Sequence, residues 1–321
     1  LFYQLMTAHG AGMVGTVALG GSAVMWYFLR KYVSLSLPIF LTNYILFMLG
    51  AVLLLAATFL GHYAGGWTFL YPLPVKSMGI WSVGAAALFM TGYLLIGVGF
   101  LLFYLDAMRA VIRVYGNLGR ALGVQWLFGG IIDKTRPPTV VASAMVIIVN
   151  SLGILGGAVV LVMSLLNAYA PEIVLSALFV KNLIYFFGHV FINISIYMAV
   201  IAVYELLPRY TGRPWGVSRP FLWGWAASTV MVLIVYPHHL LMDFAMPRWA
   251  AVLGQIISYT SGLPVFTVTA YGALTNIYRS GVRWRLPAML LILSMFGWAA
   301  GIIPAIIDAT ISVNRVMHNT L

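Results

Sequence analysis

Eight apolar runs divide this sequence, at roughly 1–29, 37–61, 78–105, 139–167, 174–204, 221–243, 250–277 and 287–312. Each is close to or above the ~20 residues an α-helix needs to cross the hydrocarbon core of a bilayer. Inside that core every backbone N–H and C=O must find a partner within the protein, so spanning structure is helical or a closed barrel. Runs of this length predict helices. The expected fold class is therefore all-α: a polytopic membrane helix bundle with about eight transmembrane helices, forming a single transmembrane domain over residues 1–321. Only 7% of the residues are charged, against about 25% in soluble domains. Pro72, Pro74, Pro137, Pro138, Pro171, Pro208, Pro214 and Pro247 punctuate the joints.

Charge sets the orientation. Thirteen of the seventeen basic residues follow odd-numbered runs, among them Arg30, Lys31, Arg109, Arg113, Arg209, Arg213, Arg279 and Arg283. Only Lys76, Lys181, Arg248 and Arg315 fall on the other side. The positive-inside rule then places the odd-numbered helix ends in the cytoplasm and the N-terminus outside. The net charge of +11 is scattered over loops rather than gathered on one face, so no nucleic-acid partner is expected and the contact surface is membrane lipid. Cysteine is absent, which excludes disulfides, iron–sulfur clusters and thiolate metal sites. Leu1 opens directly in apolar sequence and Asn319-Thr320-Leu321 ends without a tail, so the chain reads as a fragment of a longer protein.

Within this frame histidine stands out. His238 and His239 end the sixth run, and His189 lies inside the fifth. Ionisable or polar groups at membrane depth are costly and mark function, and imidazole is the commonest ligand for copper, iron and zinc. His189 lies about 15 residues, or roughly 20 Å, into its helix, and His238 about 18–20 residues, or ~30 Å, into the next, which runs the other way. Both fall in the outer half or near the middle of the membrane. Adjacent residues on a straight helix point about 100° apart. Pro237, just before the pair, removes a backbone donor and bends the turn, letting both rings face one ion. Three imidazoles with an open position suit copper or zinc; the competing reading is a solvated pair in an outer loop.

The other signals are weaker. His9 lies between small residues, and Gly10 and Gly12 beside it would let a flat macrocycle approach the backbone. Haem iron accepts an axial histidine, although a lone histidine reads first as a helix-packing residue. Ser195, Tyr197, Tyr204, Ser258, Tyr259, Thr260, Thr267 and Thr269 form a possible proton path, with Tyr197, Tyr204 and Thr267 its leading members; each hydroxyl is equally explicable as interhelical hydrogen bonding. The six acids are Asp106, Asp133, Glu172, Glu205, Asp243 and Asp308, none in the middle of a run.

The run GHVFINISIYMAVIAVYELLPRYTGRPW, then YPHHLLMDFAMPRW, then DATISVNRVMHNTL, with TAHG near the start, resembles catalytic subunit I of the haem–copper oxidoreductase superfamily. The motifs occur in order, and the resemblance covers essentially the whole chain. It implies that His189, His238 and His239 are the ligands of the copper ion called CuB, and that His9 is one axial ligand of a low-spin haem. It implies two haems in all, one low-spin and one high-spin, whose other ligands would lie beyond Leu321. It also implies a cupredoxin-like or cytochrome c-type electron-donating subunit and a prokaryotic cytoplasmic (inner) membrane location.

One departure separates substrates. Most oxygen-reducing members carry a tyrosine four residues after the first copper histidine, covalently joined to a copper ligand; here that residue is Asn193. Another oxidase branch places it six residues before the paired histidines; here that residue is Val232. Nitric oxide reductases of the superfamily lack the cross-linked tyrosine. Asn193 therefore favours nitric oxide reduction over a terminal cytochrome c or quinol oxidase with proton translocation, which stays as the alternative. Asn193 also reads simply as a polar residue bridging helices. A reading of another class, a transporter relaying protons through histidines, predicts paired broken helices or inverted repeats, and neither is visible in the sequence.

Overall fold

The computed structural model describes residues 1–241, 243 and 245–317. These form helices α1 (Phe2–Leu29), α2 (Leu37–Phe59), α3 (Val83–Tyr115), α4 (Leu118–Leu122), α5 (Pro138–Tyr169), α6 (Ala177–Thr211), α7 (Arg219–Ile234), α8 (Arg248–Ser261), α9 (Leu263–Ile277), α10 (Leu286–Asp308) and α11 (Ile311–Met317). Short 3-10 turns cover Val124–Trp126 and Tyr236–Leu240. There is no strand among the described residues. Eight helical stretches are long and apolar enough to cross a membrane, one for each apolar run. The protein is an integral membrane helix bundle. His318, part of the HNT motif, lies outside the described residues.

The helix ends follow local chemistry. Ser36 caps α2 by accepting the Ile39 N–H, and Pro38 takes a position whose N–H needs no partner. Ser218 and Pro220 do the same for α7. The third span departs from its apolar run: α3 starts at Val83 and continues to Tyr115. Asp106, Arg109 and Arg113 end the apolar pattern but do not break a helix, and Asp106 accepts the Ser36 N–H at 2.8 Å. Two spans are interrupted, the sixth at the bend expected from Pro237 and the seventh where a continuous helix was expected. The sixth changes from α to a 3-10 turn at Tyr236. The seventh divides into α8 and α9 at Gly262, where Pro264 lacks the N–H needed to continue the ladder.

The chain divides into two compact units, and α1, α3, α5 and α6 contribute residues to both. The first unit comprises Leu1–Ser22, Leu35–Ala107 and Asn150–Ser195. Its α2 and α3 meet backbone to backbone: a Cβ on Gly50 would stand 2.5 Å from the Gly92 carbonyl oxygen, and one on Gly92 would stand 2.8 Å from that of Gly50. Lipid tails are as apolar as leucine, so membrane helices associate through such close packing rather than by hydrophobic exclusion. The segment after α2 folds back on the same unit, with Tyr63 stacked on Phe89 at 4.0 Å and the Trp81 indole donating to the Pro74 carbonyl at 2.9 Å.

The second unit comprises Ala23–Ser34, Met108–Val149 and Ile196–Leu321. Here α7 packs on α9, with Gly224 against the Pro264 carbonyl and Trp225 fully buried. Guanidinium groups tie its loops: Arg219 donates to the Trp126 and Gly130 carbonyls, and Arg213 to those of Tyr278 and Arg279. The second set lies at the C-terminal end of α9, where a cation satisfies orphan carbonyls and meets the negative end of the helix dipole. Helix α10 leaves Leu290, Leu293, Phe296 and Ile303 exposed.

Candidate metal centre

In the second unit, Pro237 fixes the geometry of the paired histidines. It has no N–H and its ring clashes with the preceding turn, so α7 stops at Ile234 and residues Tyr236–Leu240 tighten into the 3-10 turn. The His238 and His239 rings come together, with centroids 4.1 Å apart and planes at 37°. His238 Nδ1 lies 2.8 Å from the Val235 carbonyl oxygen. A carbonyl only accepts, so Nδ1 carries the proton and the neutral ring's lone pair is on Nε2. Metal-binding histidines are set in the same way, by a backbone carbonyl on the second nitrogen. Helix α8 supports the turn from behind: a Cβ on Gly254 would lie 3.0 Å from the His238 backbone nitrogen. Only glycine lets α8 come this close.

In the first unit, His189 sits on α6 and is 9% exposed. Asn193, one helical turn further, reaches back to it. The Asn193 amide nitrogen lies 2.9 Å from His189 Nε2 and donates to the His189 carbonyl oxygen at 3.1 Å. The residue at the tyrosine position thus meets the ring of the histidine through a neutral carboxamide; turned about its axis, that amide offers its oxygen to an Nε2–H and leaves Nδ1 as the ligand atom. Val232, at the alternative tyrosine position, is a buried apolar residue of α7.

Around this stretch of α6 the first unit encloses an apolar cavity of about 320 Å³. Small residues of α1 (Ala11, Gly12 and Gly15) line one part of it, and Gly157, Phe187 and Phe191 another. Phe187 and Phe191 each stand two residues from His189. Its walls are almost wholly apolar, which suits an apolar ligand and not a free ion.

His9 lies on α1 and is exposed. The two glycines beside it differ. A Cβ on Gly12 would meet nothing within 4 Å, so the backbone there is open to a flat ligand. One on Gly10 would lie 2.6 Å from the Trp67 side chain. Trp67 therefore occupies the space at Gly10, and of the pair expected to receive a macrocycle only Gly12 is clear.

Two members of the expected hydroxyl path meet. Tyr204 shares a 2.7 Å hydrogen bond with Thr269 on α9, and both are buried in the second unit. Thr267, two residues earlier and on the opposite side of α9, is exposed. Thr269, itself a member of the expected path, is the partner of Tyr204. Tyr197 is buried against Trp225 and Trp298. His189, Asn193, Tyr197 and Tyr204 follow intervals of four, four and seven residues, which put them on one stripe of α6. Glu205, set aside in the sequence as a helix-end acid, proves to be nearly buried, its side chain 7% exposed.

The whole chain, residues 1–321, matches the family described as Cytochrome C and Quinol oxidase polypeptide I. Among curated proteins it is similar to the Heme-copper oxidase subunit I+III of Aeropyrum pernix, at 24% identity over 273 residues, which is 74% of this chain. The chain spans about a third of that relative, 31% of its length. With the ordered histidine motifs and the eight-span bundle, the match over every residue leads to one statement of kinship: the chain belongs to the cytochrome c and quinol oxidase polypeptide I family, the catalytic subunit I of the haem–copper oxidoreductase superfamily.

Proposed function

We propose that the chain is the catalytic subunit of a membrane haem–copper reductase that couples two molecules of nitric oxide into nitrous oxide. His189, His238 and His239 hold copper, and His9 holds one of the two haems. The observation that carries the choice of gas is the Asn193 carboxamide, 2.9 Å from His189 Nε2. The donor set fits the metal: imidazoles suit copper, and the Val235 carbonyl gives His238 the ligand tautomer. When bound, the copper would supply a redox partner and an electrophile opposite a haem iron.

The chain's own residues do the rest. The turn at Pro237 orients two rings, and Asn193 orients the third. The apolar side chains of Phe187 and Phe191, each two residues from His189, keep bulk water away. Splitting dioxygen draws an electron and a proton from the tyrosine near the copper. Joining two NO molecules needs two electrons and two protons and no tyrosyl group, so an asparagine there is compatible with the NO reaction and removes a reactant from the oxygen one. Electrons come from a cupredoxin-like or cytochrome c-type subunit, in a prokaryotic cytoplasmic membrane.

A second reading, a terminal oxidase reducing dioxygen to water, is favoured by the name of the Aeropyrum pernix relative. Gas consumption by the full-length complex separates the two. A proton-relay transporter is a third class. The interrupted spans at Tyr236 and Gly262 arise beside Pro237 and Pro264 rather than from a repeated motif. A haem spectrum in the purified complex rules that class out, and the lack of one, with haem supplied during expression, rules out the reductase.

A further inference from the structure

At the Arg209 end of α6, Glu205 gathers three groups of the second unit. Its Oε2 lies 2.7 Å from Lys31 Nζ, and its Oε1 accepts from Tyr32 Oη at 2.8 Å and from Thr139 Oγ1 at 2.5 Å. Lys31 and Tyr32 come from the segment between α1 and α2, and Thr139 from the first turn of α5. The carboxylate is 7% exposed, whereas the Lys31 side chain is 35% exposed.

A junction between three segments does not need a carboxylate. Desolvating an ion pair offsets much of its attraction, and apolar residues of similar volume usually join such segments at least as well. Two features point beyond packing. First, Tyr32 and Thr139 offer hydroxyls, which can donate to a carboxylate and turn to accept from a carboxylic acid. Burial first, then the hydrogen bond and charge of Glu205, push the Tyr32 hydroxyl well above its ordinary range, so it stays a donor rather than losing its proton. Second, the next residue, Tyr204, opens the buried hydroxyl pair with Thr269. Tyr204 also shares a stripe of α6 with Tyr197, Asn193 and His189, and Asn193 lies roughly 16 Å along the helix.

We propose that Glu205 is the residue that takes protons into the protein for the reduction, and that the hydroxyls of Tyr32 and Thr139 hold its two protonation states in one geometry. This rests on the reductase reading but not on the gas, because both nitric oxide and dioxygen reduction consume protons. A proton from the aqueous side forms an O–H bond at Oε1, where Tyr32 or Thr139 turns to accept from it. That bond breaks as the proton passes through water to the Tyr204 hydroxyl; Tyr204 gives its own proton to Thr269, Thr269 releases its own to water on the way to the site of reduction, and the carboxylate is restored. No electron moves in this step.

The test uses the full-length complex with its cofactors, reduced by ascorbate and a mediator, under whichever gas the wild type consumes. E205Q should lower turnover by at least about tenfold and raise the solvent deuterium isotope effect, with the haem spectrum and copper content unchanged. E205D, which keeps the acid, should recover most of the rate. E205Q with wild-type turnover and isotope effect overturns the proposal. So does equal slowing of E205Q and E205D with an unchanged isotope effect, the signature of a structural junction. If E205Q does not assemble, Lys31→Met decides, because it breaks the ion pair and keeps the acid. Turnover within about threefold of wild type supports the proposal, and loss of turnover in an intact K31M complex overturns it. A wild type inert to both gases would instead overturn the reductase reading itself.

Discussion

At the scale of single residues, the chemistry rests on how three rings are held. His238 takes its tautomer from the Val235 carbonyl at 2.8 Å and His189 its orientation from Asn193. His238→Ala should abolish copper binding and gas reduction while leaving the low-spin haem band in place; metal analysis beside the optical spectrum checks both at once. Loss of copper together with both haem signals would mean that the histidine holds the fold rather than a ligand position. Asn193→Leu removes the clip on His189 while keeping the volume. Copper content should fall and turnover drop by about tenfold or more, as when the outer partner of a metal ligand is lost. Unchanged copper content and turnover in that variant would reduce Asn193 to a packing residue.

Much at this scale was legible in the sequence, and the reasons are local. Asn193 and His189 are four apart on one helix, so their contact follows from helical spacing. The convergence of His238 and His239 follows from Pro237. What was not legible depends on helical phase or on distant chain. Thr269 rather than Thr267 faces Tyr204 because of the rotation of α9 about its axis, which an apolar pattern without a polar face does not reveal. The burial of Glu205 was not legible because its partners, Lys31 and Thr139, lie 174 and 66 residues away in sequence.

At the scale of elements, the turn Tyr236–Leu240 and the α2–α3 crossing carry separate loads. Pro237→Ala restores the missing N–H and lets α7 run on, which would separate two adjacent rings toward the helical 100°. Copper content should fall in P237A with the helix content by circular dichroism unchanged or slightly raised; wild-type copper retention would show that the proline is dispensable. The α2–α3 crossing carries none of the histidines His189, His238 and His239. Gly92→Leu forces the helices apart against the Gly50 carbonyl, and overpacking of this kind costs about 1–3 kcal/mol. The melting temperature in detergent should drop without a change in the haem spectrum of the surviving fraction. Hydropathy located all eight spans, but it ended α3 too early because Asp106, Arg109 and Arg113 are polar and still helical. It also passed over the break at Gly262, because the hydropathy stays high there and only Gly262 and Pro264 mark the helix end.

At the scale of the whole molecule, the central claim is that a haem–copper subunit carrying Asn193 and Val232 where tyrosine is expected reduces nitric oxide. Copper K-edge absorption of the loaded complex should fit three imidazole nitrogens. A fit with fewer would remove one of His189, His238 and His239 from the ligand set. The most direct measurement is gas consumption by the full-length complex, reduced by the same donor, in parallel chambers of anaerobic nitric oxide and of dioxygen. The expected result is sustained nitric oxide uptake, with one nitrous oxide formed for each two molecules consumed, and little dioxygen uptake. Rapid dioxygen turnover with no reaction toward nitric oxide would contradict it.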